Sequence, residues 1–223
     1  VIAGQSAAIA PADKRLYALR DVTGTIESYP LIAASIMSKK LAEGLNGLVL
    51  DVKVGNGAFM KTHQKARELA RILVDTGKAV DVATTAFITD MNQPLGEAVG
   101  NANETQEALD ILHGGGPADL REITLLLGGE MCVLGGVAED LDAGRKLMTT
   151  AIESGAALDA MIKMVEAQGG DPRICEPGHR LPVAPIEHHI IAKRDGVVCE
   201  FATEQFGWAM IDLGGGRRQV SDT

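Results

Sequence analysis

Residues 47 to 89 limit the possible folds more than any other stretch of this chain. "NGLVLDVKVGNGAFM" is dense in valine and leucine, and its pattern predicts a buried strand from about Gly47 to Val54, closed by a glycine loop at Gly55 and Gly57. In "THQKARELARILVDTGKAV" the apolar residues Ala66, Leu69, Ile72 and Leu73 fall on one face of a helix, which Thr62 can cap. "VATTAFIT" supplies a second strand. Strand, helix, strand is a βαβ unit, which implies parallel pairing within an α/β layer.

The remaining segments attach to this unit. Residues 1 to 16, "VIAGQSAAIAPADKRL", are small and weakly patterned, and read as a strand remnant and a loop. A helix is expected from about Pro30 to Glu43, with Ser28 as its cap, Pro30 in its first turn and Gly44 ending it. From Asn103 the pattern is helical nearly to Gly169. Breaks at 114–116, at Gly128 and Gly129, and at Gly135 and Gly136 divide it into about four helices. Beyond "GGDPRICEP", the stretch "IEHHIIAKRDGVVCEFAT" reads as a hairpin turning at Asp195 and Gly196, followed by a short helix around Trp208. That change of character near residue 175 marks an expected domain boundary.

Composition excludes some classes of partner. The chain has 223 residues, 46% of them apolar, which is enough for one large domain or one and a half ordinary ones. With 21 basic and 30 acidic side chains the net charge is −9, so neither nucleic acid nor an anionic membrane is an expected partner. Cys132, Cys175 and Cys199 are odd in number and lack a CxxC spacing. They read as free thiols of a reducing compartment, which places the protein in the cytoplasm. The chain starts at Val1 without Met and stops at "GGGRRQVSDT", and both ends are read as cut.

Among candidate sites, Ser35 and Lys39 stand one helical turn apart on one face. Their neighbours Ile32 and Ile36 are apolar, so Lys39 would emerge from a mostly dry surface. The plainer account makes Lys39 and Lys40 solvated charges in the last turn, where cations suit the helix dipole. Arg20 joins them only if its segment folds back to the same face, which spacing does not show. If it does, a hydroxyl, an ammonium and a guanidinium would together offer donors to a flat, carbonyl-rich ligand and stabilise a heterocycle leaving as an anion. "VGNGAF" has only part of a GxGxxG phosphate loop and reads more simply as a turn needing small residues. His188 and His189 would point to opposite faces of a strand and form no metal face. Glu104 and Glu107 read as a solvated helix face, since a cation site would need backbone carbonyls beside them.

"LYALRDVTGTIESYPLIAASIMSKKLAEG", "LVLDVKVGNGAFMKT" and "TDMNQPLGEAVGNANE", with "GGGRRQVSD" near the end, resemble the thymidine and pyrimidine-nucleoside phosphorylases. The resemblance implies an α/β fold in parts: residues 1–11 as a remnant of the α/β domain, 12–43 as a segment of a small all-α domain, and 44–174 as a large α/β domain with a mixed or parallel sheet. Residues 175–223 would then be a partial C-terminal α+β domain. It implies a homodimer formed through the helical domain, and a reaction in which phosphate attacks C1′ of the nucleoside and the pyrimidine leaves. No organic cofactor is implied.

By the same resemblance Arg20, Ser35 and Lys39 bind the base and stabilise its departing charge, while Tyr17, Ile32 and Phe59 shape its pocket. Leu95, Ala98 and Glu107 match a site for a monovalent cation, K+, and Gly44 matches a hinge of domain closure. One departure stands out: the family's phosphate-binding Lys-His-Ser-Thr-Gly-Gly loop, with its catalytic histidine, has no counterpart in residues 1 to 16. The chain alone is therefore expected to show little or no activity. Two other readings stay open, a phosphoribosyltransferase-like enzyme and a non-catalytic base-binding or dimerisation fragment. "RDVTGTIES" and "SIMSKK" lean toward the enzymes that accept pyrimidine nucleosides broadly, thymidine, uridine and deoxyuridine among them.

Overall fold

The computed structural model describes residues 2, 9–23, 28–179, 181–182 and 184–215, and of residues 17, 18 and 20–23 the backbone alone. In chain order these residues form α1 (Pro11–Thr23), α2 (Tyr29–Ala42), β1 (Gly47–Val54), α3 (His63–Lys78), β2 (Ala83–Asp90), α4 (Asn101–Leu112), α5 (Ala118–Leu134), α6 (Leu141–Glu153), α7 (Ala156–Ala167), a 3₁₀ turn (Pro172–Cys175) and α8 (Thr203–Asp212). The fold is α/β. The strands pair in parallel, in register from Gly47 opposite Ala83 to Val54 opposite Asp90, as the βαβ pattern requires. No helix among the described residues is long and apolar enough to cross a membrane.

The chain divides into two compact units. The first comprises Val1–Gly55, Phe59–Asp90 and Leu125–Met148; the second comprises Asn56–Ala58, Met91–Thr124 and Thr149–Thr223.

The core of the first unit is assembled by alternation and by helical periodicity. Leu48, Val52 and Val54 project from one face of β1, and Ala66, Leu69, Ala70 and Leu73 from one stripe of α3. Ala33 and Met37 of α2 complete the cluster. Thr62 caps α3 by accepting the Lys65 N–H at 3.3 Å. On the opposite face of the sheet, Thr85 donates to Glu130 of α5 at 2.7 Å. A cleft of about 420 Å³ runs along β1, lined mainly by Leu45, Leu48, Leu50, Met131 and Leu134.

In the second unit α4 packs with α7, and Leu109, Ile111 and Cys175 are buried. The Cys175 carbonyl lies 3.1 Å from His113 Nε2, and burial pushes the Cys175 thiol pKa up. Asn56 joins two distant parts of this unit. Its side-chain amide donates to the Phe201 carbonyl at 2.6 Å, and its carbonyl accepts from the Thr203 N–H at 3.1 Å. Gly57 is needed there because a methyl group on it would lie 2.6 Å from Thr203 Cγ2. The loop after β1 therefore has glycine for close approach, as the turn account of "VGNGAF" holds.

Four expectations need correction. Residues 11–16 are the start of α1, since Pro11 suits a first helical turn and Asp13 suits its dipole. Ser28 occupies the N-cap of α2 but makes no side-chain cap; only its carbonyl is used, by the Ile32 N–H. Gly128 and Gly129 do not break α5. They lie inside it, where a methyl group on Gly144 of α6 would sit 2.3 Å from the Gly129 carbonyl oxygen, so the glycines serve close helix approach. Finally, the described residues between 181 and 202 contain no strand, and the hairpin at Asp195 and Gly196 is not formed. Ile186, Ile190, Ile191, Val197 and Val198 are each at least 72% exposed, and a hairpin with nothing covering its apolar face is marginal in water.

Candidate active site

α2 carries the predicted pair. Pro30 lies in the helix's first turn, and the stripe of Ala33 and Met37 packs into the core, while Ser35, about half a turn round on the side where Lys39 meets Asp13 of α1, is 7% exposed. One turn on, Lys39 folds back along the helix so that its Nζ donates to Ser35 Oγ at 2.9 Å. A second helix supplies the other anchor: Lys39 Nζ also lies 2.9 Å from Asp13 Oδ2, and the Asp13 side chain is 8% exposed against 25% for Lys39. Lys40 behaves differently. It pairs with Glu43 at 3.2 Å, both about two-fifths exposed, which is an ordinary surface pair.

The solvated-charge account therefore holds for Lys40 and fails for Lys39. An ammonium has three donors, and among the described residues two are engaged, by Asp13 and Ser35. The third is left for a ligand approaching the partly exposed face.

Asp13 is the residue that sequence reasoning missed. Its signal is present in "PAD", where proline followed by an acid marks a helix start, but the weak apolar patterning of residues 1 to 16 masks it. Along α1, Tyr17 and Arg20 lie four and seven residues beyond Asp13, one and two turns on and so on the same face of the helix. The side chains of Tyr17 and Arg20 lie outside the described residues.

The other predicted positions are scattered. Ile32 is partly buried and packs against the core cluster. Phe59 is 70% exposed beyond the glycine loop. Gly44 has φ +69°, the left-handed conformation of a residue just past a helix end, with no atom near enough to obstruct a side chain.

Glu107 departs from the solvated-face account. It is buried on α4, and its Oε1 accepts the N–H groups of Glu97 at 2.9 Å and Ala98 at 3.1 Å. Glu104 instead accepts the Gly100 N–H at 2.9 Å and so closes the start of α4. With Oε1 of Glu107 committed to two donors, a cation near Leu95 and Ala98 would be met by Oε2.

A sequence profile described as "Glycosyl transferase family, a/b domain" matches residues 1–158 of this chain. The chain belongs to this glycosyl transferase family. Among curated proteins, the pyrimidine-nucleoside phosphorylase of Staphylococcus aureus strain USA300 is 51% identical over 221 residues, covering 99% of this chain and 51% of the relative. The protein of the same name from strain bovine RF122 / ET3-1 is 50% identical over the same length. The resemblance to the thymidine and pyrimidine-nucleoside phosphorylases noted in the sequence is borne out. The glycosyl transferase chain spans about half the length of these curated relatives.

Proposed function

We propose that this glycosyl transferase chain is part of a pentosyltransferase that cleaves pyrimidine nucleosides with phosphate, giving the free base and a ribose or deoxyribose 1-phosphate. The observation that carries this reading is Lys39, an ammonium aimed along α2 onto a buried serine and left with one donor to give. Phosphate forms a bond to C1′ as the bond from C1′ to the base breaks, and the electron pair of that bond passes to the base. Donors already in place at the pyrimidine's carbonyl and N3 edge stabilise that charge most where it develops, in the transition state.

In this reading Lys39 and Ser35 are two of those donors. Arg20, on the face of α1 that also carries Asp13, brings a planar guanidinium able to make two parallel bonds. Tyr17, Ile32 and Phe59 bound the base, Gly44 is the hinge of closure, and Glu107 Oε2 with the Leu95 and Ala98 carbonyls would hold K+. The segment 12–43 belongs to a helical domain through which a homodimer forms, residues 44–174 to the α/β domain and 175–223 to a C-terminal domain. The phosphate cradle lies outside these residues, and the chain by itself turns over little or nothing. Uridine and deoxyuridine are accepted beside thymidine, in cytoplasmic nucleoside salvage. A second reading, a module that binds the base without turnover, is favoured by Ser35 and Lys39 being donors suited to a base and not a nucleophile.

The test is release of free base from thymidine and from uridine by the intact protein, with and without phosphate, in the wild type and in Lys39→Ala. Phosphate-dependent release that falls about 100-fold or more in the variant supports the enzyme. Release that ignores phosphate overturns it. Binding of uracil or thymine without release, abolished in Lys39→Ala, selects the second reading.

A further inference from the structure

A lysine on a helix surface is a poor device for placing charge, because four rotatable bonds let the ammonium wander. In this chain the ammonium of Lys39 is held from two sides, by Ser35 Oγ one turn back on its own helix and by Asp13 Oδ2 from α1, each at 2.9 Å. Asp13 is the more buried partner, at 8% exposure. Its place in the first turn of α1 would suit the helix dipole equally well in water, so the dipole does not explain its burial. Nor does stability. A half-buried ion pair gives little net stabilisation over an apolar pair of similar size, because both charges must shed water. A carboxylate under an ammonium does one thing that an apolar contact would not: it fixes where the positive charge stands.

We infer that Asp13 is a positioning residue for Lys39, holding the ammonium against Ser35 so that its remaining donor points to the place where negative charge develops on a departing base. The inference rests on the reading of α2 as the base-binding helix. Asp13 touches neither base nor phosphate, and its effect passes through Lys39. It ties α1 to the α2 face that bears Ser35, so that one carboxylate sets where the Lys39 ammonium stands against that serine.

The decisive variants are Asp13→Asn, which keeps the shape and removes the charge, and Asp13→Glu, which keeps the charge and moves it by one methylene. In phosphorolysis by the intact protein, Asp13→Asn should lower kcat by about 10- to 100-fold, the scale expected when a catalytic group is displaced by about an ångström. KM should change little. The loss should be largest for uridine and smaller for a nucleoside whose base carries an electron-withdrawing 5-substituent, since that base leaves as a more stable anion and needs the ammonium less. Asp13→Glu should fall between the two.

A purely structural tie between α1 and α2 would lower kcat equally for every nucleoside, and that result, or an unchanged kcat, overturns the inference. Should Asp13→Asn not fold, Asp13→Glu must show the same dependence on the leaving base, and a Glu variant equal to the wild type overturns it as well. The 15N order parameter of Lys39 Nζ separates this inference from the functional reading. If the intact protein releases no base at all, the functional reading fails, while a Lys39 ammonium that becomes mobile in Asp13→Asn still upholds the positioning. An order parameter unchanged in that variant overturns it.

Discussion

Lys39 and Lys40 are adjacent in sequence and opposite in circumstance, and stability should register the difference. Replacing Lys39 by Met removes the ammonium facing a buried carboxylate, and the loss of that charge from a buried ion pair should destabilise by about 1–3 kcal/mol. Lys40→Met, which removes only a surface pair with Glu43, should stay within about 0.5 kcal/mol. Urea unfolding of the two variants compares them directly. Asp171 offers a second prediction. Its carboxylate shares the single Arg173 Nε–H between both oxygens at 2.9 Å, accepts from Arg173 Nη2 at 2.5 Å, and accepts the Arg173 backbone N–H at 3.0 Å. The side-chain bonds first and the backbone bond second lower its pKa from 3.8 to about 2. A depressed folded value means the contribution is fully present above the unfolded pKa of 3.8 and is lost as pH falls through about 2. The Arg173 amide resonance, followed by NMR, should therefore shift with a midpoint near 2 and not near 3.8. At this scale the sequence showed Ser35 and Lys39, because an i, i+4 pair on one helix face depends on local geometry alone. It could not show Asp13 beneath Lys39, because 26 residues separate the two and their meeting depends on how two helices pack.

Helices and strands were legible where one period ran uninterrupted. β1 lies at its expected bounds, and α3 buries the expected Ala66, Leu69 and Leu73, because apolar spacing and secondary structure there have the same cause. Glycine was the ambiguous residue. At Gly135 and Gly136 it ends a helix, whereas at Gly129 it lies within one, and the choice is made by the neighbour: Gly144 approaches so closely that neither position has room for a methyl group. Gly144→Ala should therefore cost about 1–3 kcal/mol through overpacking, despite the better helix propensity of alanine. Gly207→Ala makes the control. Gly207 lies inside α8 with nothing within 4 Å of an added methyl group, so propensity alone acts and should stabilise by about 0.5–1 kcal/mol. Thermal or urea unfolding of the two variants, with opposite signs, tests whether packing decides.

Across the whole molecule, the apolar pairs and the Asp195–Gly196 turn signal within residues 186–198 were readable but the outcome of that stretch was not, since a strand forms only when another surface covers it. In the structure its isoleucines and valines face outward. Ile190→Glu together with Val197→Lys should raise solubility and lower binding of an apolar dye, with the unfolding midpoint unchanged, because neither residue is buried. Asn56 has a consequence for the making of the chain. Its partners Phe201 and Thr203 stand about 145 residues later. At ribosomal speeds of roughly 5–20 residues per second, the Asn56 amide waits on the order of 10–30 s for them to be synthesised. The N–H groups of Gly57 and Asn56 meet the Met91 carbonyl at 2.9 Å and Asn92 Oδ1 at 3.0 Å, partners made much earlier, so the loop after the first strand closes in two steps and its second fastening waits for residue 203.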